Sequence, residues 1–171
     1  MSMSFPHAAW AERLRAGLSE INLPLDEGTQ ARLLGYLALM DKWNQTYNLT
    51  AIRKPLEMVD KHLLDSLSLL PHVMDQPLLD VGAGAGLPGL VLAIVKAGAK
   101  VCEGASVRDE PPGEAGAASR RDEFSVTLVD AVAKKVQFMQ HAIRTLKLGN
   151  ARALHTRIED LGGQYPQITS R

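Results

Sequence analysis

The chain has 171 residues, enough for one domain with a real core or a domain with a small extension. Hydrophobic residues make up 46%, and 19 basic side chains balance 19 acidic ones, so the composition is that of a folded protein without the overall charge of a dedicated nucleic-acid binder. No apolar run approaches the roughly 18 residues a membrane helix needs; the start MSMSFPHAAW lacks the features of a signal peptide, and the lone Cys102 excludes an internal disulfide framework and a multi-cysteine metal site, so a cytoplasmic protein is expected.

Residues 1–75 read as an N-terminal helical extension. Trp10, Leu14, Leu18 and Ile21 recur at helical steps, as do Leu33, Leu37, Met40 and Trp43. Met58, Val59, His62, Leu63, Ser66, Leu67 and Leu70 mark a further helical face. Between them, Trp43 and Tyr47 lie four apart and can close a helix against the core, with Asn44 and Asn48 as local caps; a place near RNA is an equally open reading of this segment. His62 and Asp65, three apart, suggest a satisfied helical pair more readily than acid–base chemistry.

From about residue 76 the pattern changes to strand–helix alternation, which implies a parallel sheet with right-handed crossovers. Strands are expected at 78–81, 125–129 and 151–155, and helices at about 87–97 and 132–147. At the first strand–helix junction stands LLDVGAGAGLPG, Leu78 to Gly89. An apolar run ends on Asp80, Gly82, Gly84 and Gly86 follow, and an apolar helix starts after Gly89. Such a turn offers backbone N–H groups and a helix N-terminus to a ligand, and glycine lets the ligand come close. Gly84, Gly86 and Gly89 alone also satisfy the weak GxGxxG pattern of a pyrophosphate binder. An acid at the strand end before Gly-x-Gly-x-Gly looks more like the first motif of S-adenosylmethionine-dependent methyltransferases. Its carboxylate would meet the cationic end of the cofactor, directly or through water.

Residues 98–123, rich in Gly, Pro, Ala, Arg, Asp and Glu, break the alternation and are expected to be an inserted flexible loop. Removing about 25 residues restores the usual distance of about 20 from a glycine turn to the acid ending the second strand, here Asp130. That carboxylate suits ribose hydroxyls, although it could instead cap the following helix. Residues 124–171 carry seven basic and three acidic side chains, so Lys134, Lys135, Arg144, Lys147, Arg152 and Arg157 could form an RNA-facing patch.

Taken in order, KWNQTYNLTAI (Lys42 to Ile52), KHLLDSL (Lys61 to Leu67), LLDVGAGAGLPGL (Leu78 to Leu90), TLVDAVAKKVQFM (Thr127 to Met139), TRIEDL (Thr156 to Leu161) and ITSR (Ile168 to Arg171) resemble the ribosomal RNA small-subunit methyltransferase G family, also called glucose-inhibited division protein B. The resemblance covers nearly the whole chain apart from 98–123. It implies an α/β fold, a Rossmann-like class I methyltransferase core over 76–171 behind the helical extension. It also implies methyl transfer from S-adenosyl-L-methionine to N7 of a guanine in 16S ribosomal RNA, an rRNA-processing enzyme and a monomer when complete. Carried over by position, it puts Gly82 and Leu87 in the glycine-loop part of the cofactor pocket, Ile158 and Glu159 beside the adenine, and Arg171 near cofactor and RNA. No catalytic acid or base is implied, because N7 has a lone pair and no proton to lose. A seven-stranded class I sheet needs about three strands beyond the one beginning near Gln167, so the chain is expected to be C-terminally incomplete, with its activity in doubt. A shortened, inactive relative that at most binds cofactor or RNA, or an NAD(P)-binding enzyme using Gly84, Gly86 and Gly89, are the other expectations left open.

Overall fold

A computed structural model describes residues 5–99 and 123–170. The first two helices are α1 (Phe5–Glu20) and α2 (Glu27–Tyr47). Asp26 starts α2 by accepting the Thr29 N–H at 2.8 Å, and Asn48 ends it in the left-handed region (φ 49°), a position that asparagine tolerates. A third helical segment begins as α3 (Pro55–Met58), loosens into a π-helical stretch (Val59–Leu64) and closes as α4 (Asp65–Leu67).

The remainder alternates: β1 (Leu78–Val81), α5 (Gly89–Ala99), β2 (Val126–Asp130), α6 (Ala133–Thr145), β3 (Ala151–His155) and β4 (Gln167–Ser170). The four strands form one parallel sheet in the order β3-β2-β1-β4. Its register sets Val81 beside Val129 and Ser170, and Asp130 beside His155. The order reverses at β1, since β2 and β3 lie on one side of it and β4 on the other. Ligands of open α/β sheets collect at the carboxyl ends of strands beside such a reversal.

Helix α5 is apolar all round from Gly89 to Val95, with Leu90, Val91, Leu92, Ala93 and Ile94 fully buried. A helix of that kind needs cover on every side. The sheet covers one side and α2 and α4 the other. The buried side chains of α1 and α2, from Trp10 through Met40, belong to the same continuous core as those of the sheet. Helix α5 runs two residues past its expected end, and Gly98 near that end lies against Thr29 of α2 where a Cβ would not fit. Residues 100–122, all but the ends of the expected inserted loop, lie outside the described residues. No helix among the described residues is long and apolar enough to cross a membrane.

Candidate functional site

The carboxyl ends of β1 and β2 hold two buried acids with different partners. Asp130, closing β2, uses both oxygens: Oδ2 accepts the Gly84 N–H at 2.9 Å and Oδ1 the Val132 N–H at 2.8 Å. It therefore ties the glycine loop to the start of α6. Asp80 in β1 is fully buried; its Oδ2 accepts the Gly89 N–H at 2.9 Å, at the first residue of α5. Its Oδ1 is buried without a hydrogen-bond partner. Burial, reinforced by the charge of Asp130 and opposed by the Gly89 N–H, pushes the Asp80 carboxyl up to about 7.

The glycine turn spends most of its own amides. Gly82 and Ala83 donate to the Val129 carbonyl at 2.9 and 3.1 Å, and Gly86 and Leu87 to the Ala83 carbonyl at 2.7 and 3.0 Å. The expected offer of backbone N–H groups to a ligand is thus narrowed, since the amides of Gly82, Ala83, Gly84, Gly86 and Leu87 already have partners within the protein. The contribution of this arch to a ligand is shape. Gly82 (φ +68°) and Gly84 (φ +60°) lie at the surface in a conformation that penalises a side chain, and open space stands where the Gly82 Cβ would be. Gly86 differs, being buried with φ +92°, and a Cβ there would come within 2.5 Å of Leu90. Leu87 is buried in the core and is followed by a cis peptide to Pro88.

Behind the loop, Tyr36 of α2 donates its hydroxyl to the Ala85 carbonyl at 2.7 Å, wholly buried. Burial, and then the charge of Asp80, hold the phenol well above its ordinary value, so it stays a donor. This partner was missed in the sequence. The available signal was a tyrosine within the buried stripe Leu33, Tyr36, Leu37, Met40, since a buried phenol needs a polar partner.

Around this rim, the turn Ile158–Asp160 follows β3, with Ile158 and Glu159 exposed. His155 Nε2 lies 3.0 Å from the Ala131 carbonyl, holding the end of β3 to the segment after Asp130. Val132 is exposed on that segment. Asp80, Gly82, Gly84, Gly86, Leu87 and Asp130 thus come together, with Ile158 and Glu159 at the neighbouring strand end; Arg171 lies outside the described residues. His62 is elsewhere in role, its Nε2 3.2 Å from Thr50 Oγ1 within the helical layer. A cavity of about 560 Å³ opens at the amino ends of β2 and β3, lined by Asn150, Arg152 and Tyr165 among others, and so at the opposite end of the strands from the acids.

The arrangement suits a ligand that needs close approach to backbone and an acid beside it, and supplies no nucleophile–base pair. Compared with known proteins, the chain matches the family described as rRNA small subunit methyltransferase G over residues 29–102 and 118–171. It is similar to ribosomal RNA small subunit methyltransferase G of Stenotrophomonas maltophilia, with 44% identity over 96% of this chain and 66% of that one. The protein of the same name from Marinobacter nauticus is 42% identical over 99% of this chain and 67% of that one. The chain thus spans about two thirds of the length of these curated relatives. Among solved structures it is similar to a Podospora anserina methyltransferase bound to SAH, at 14% identity and a TM-score of 0.43, covering 86% of this chain and 59% of that one.

Proposed function

The chain belongs to the rRNA small subunit methyltransferase G family, and from that premise we propose that its strand-end rim binds S-adenosyl-L-methionine for methylation of N7 of a guanine in 16S ribosomal RNA. The observation that carries the reading is the glycine arch at the sheet's reversal point, open above Gly82 and braced by Asp130.

The residues fit such a cofactor. Gly82 and Gly84 leave room for it against the backbone, and Leu87 and Gly86 hold the arch from beneath. Asp130 retains lone pairs for the ribose hydroxyls beside its two amide bonds. Ile158 supplies an apolar surface for the adenine, and Glu159 an acceptor for its amino group. Asp80 acts from behind, fixing Gly89 and hence the approach of α5 to the arch. Arg171 is assigned, by the family resemblance, to the neighbourhood of the cofactor and the incoming RNA.

The cofactor supplies a methyl group already activated on a sulfonium, and guanine N7 accepts it without a proton leaving. What remains for the protein is in-line placement and tolerance of the charge gained by the base. A hydrogen-bonded arch, with no general base beside it among the described residues, suits that task.

Calorimetric titration of S-adenosylmethionine, followed by transfer of labelled methyl to 16S ribosomal RNA, tests the proposal. Micromolar binding and label at guanine N7 support it; a folded chain that binds no cofactor refutes it.

A further inference from the structure

The crossing of α2 and α6 carries an aromatic and cationic face to the rim that holds the glycine arch. Near the start of α2, Arg32 donates to the Leu146 carbonyl at 3.1 Å, just past the end of α6. Tyr47, the last residue of α2, lies instead beside Lys134, the second residue of α6. The two helices are therefore antiparallel. Because α6 begins three residues after β2 ends, its first turn stands at the carboxyl ends of the strands, and Tyr47 stands there with it.

Trp43 anchors this face. Its ring lies 5.6 Å from Phe138, 5.3 Å from His141 and 5.1 Å from Tyr47. Tyr47 is 40% exposed, and its hydroxyl makes no hydrogen bond among the described residues. The Lys134 ammonium stands 5.8 Å from the Tyr47 ring centroid, with no carboxylate partner among the described residues. Helix α6 carries Lys134, Lys135 and Arg144 and no acidic residue. On the loop after α2, Arg53 is held by Asn48 Oδ1 at 2.6 Å.

We infer that Tyr47 is a stacking platform for an unpaired base of the RNA, held in place by Trp43, with Lys134 moving from the ring to the phosphate of that nucleotide. A tyrosine serving packing alone would bury its ring and find a partner for its hydroxyl. An exposed ring beside an unneutralised ammonium has instead the two elements that single-stranded RNA uses, a flat surface for the base and a cation for the phosphate. Lys134 and Lys135, both in the first turn of α6, have the complementary sign. The platform presupposes the RNA methylation proposed above and adds to it the surface that holds the substrate beside the cofactor rim.

The test is filter binding of labelled small-subunit ribosomal RNA to the 171-residue chain and to Tyr47→Leu, Tyr47→Phe and Lys134→Ala, with S-adenosylhomocysteine titrated into each. Tyr47→Leu should weaken RNA binding by about 5- to 150-fold, the range for losing one base–aromatic stack. Tyr47→Phe, which keeps the ring, should stay within about twofold of the parent. Lys134→Ala should reduce the slope of log affinity against log salt by about 0.7. All three should bind S-adenosylhomocysteine as the parent does. Parent-like RNA binding by Tyr47→Leu, equal losses in the Leu and Phe variants, or loss of S-adenosylhomocysteine binding in Tyr47→Leu overturns the platform alone. Absence of RNA binding by the unaltered chain overturns the RNA reading and the platform with it.

Discussion

Tyr36 on α2 donates a hydrogen bond of 2.7 Å to the carbonyl of Ala85 in the middle of the glycine arch, joining residues 49 apart in sequence. Through this bond the helical layer holds the site directly. Both groups are buried, so breaking the bond strands an acceptor away from water.

Tyr36→Phe should therefore lower stability by about 1–3 kcal/mol, the cost of an unsatisfied buried carbonyl. Because that carbonyl belongs to the arch, cofactor affinity should fall as well. Urea denaturation and calorimetry on the same variant measure both. Unchanged affinity would show that the arch keeps its shape without α2.

Two glycine substitutions should separate folding from binding. Gly86→Ala places a Cβ within 2.5 Å of Leu90 at φ +92°, so its main effect should be destabilisation, by about 2 kcal/mol or more. Gly82→Ala meets no neighbour within 4 Å and suffers only the left-handed backbone penalty, about 1 kcal/mol. It should nevertheless weaken cofactor binding by blocking the open side of the arch. Melting temperatures and titrations on the pair should rank them in opposite orders.

Asp130→Ala removes two acceptors at once and should cost about 2–4 kcal/mol, with cofactor affinity falling more than about tenfold. Asp130→Asn keeps one carbonyl oxygen and should fall between this variant and the parent. If both variants bind cofactor normally, the carboxylate serves only to join Gly84 to Val132.

Stability should depend on pH through Asp80. Its carboxyl is raised from 3.8 to about 7 by burial, so between those values the folded chain keeps a proton that the unfolded chain has lost. Stability from this group is intact below about pH 4 and is lost as pH rises through about 7, by an amount of the order of 4 kcal/mol. Asp80→Asn, neutral throughout and still able to accept the Gly89 N–H, should flatten that part of the curve. Denaturation midpoints from pH 4 to 8 measure the slope; equal slopes in parent and variant would remove Asp80 as its source.

Much of the fold is visible in local pattern. The stripes Trp10-Leu14-Leu18 and Leu33-Leu37-Met40 are buried on α1 and α2, although Ile21, next in the first stripe, lies beyond the helix end and is exposed. Strands and helices after residue 78 fall within two residues of their expected bounds because apolar runs, glycine turns and amphipathic spacing are short-range signals. Asn44 and Asn48 serve as local hydrogen-bonding groups: Asn44 Oδ1 accepts the Thr50 N–H at 2.9 Å, and Asn48 stands at the left-handed end of α2.

The acid–glycine–acid arrangement of the site, and the family to which the chain belongs, are thus properties that the order of residues determined by itself, since motif spacing survives without knowledge of packing. Three-dimensional packing alone decided how those residues are employed. It gave the amides of Gly82, Ala83, Gly84, Gly86 and Leu87 partners within the protein, buried Asp80 with one oxygen on the Gly89 N–H, and brought Tyr36 to Ala85 and Tyr47 to Lys134. The last two are contacts between segments distant in sequence, which no local pattern specifies. Local periodicity carries the identity of a buried face, and only closure of the whole core selects what that face meets.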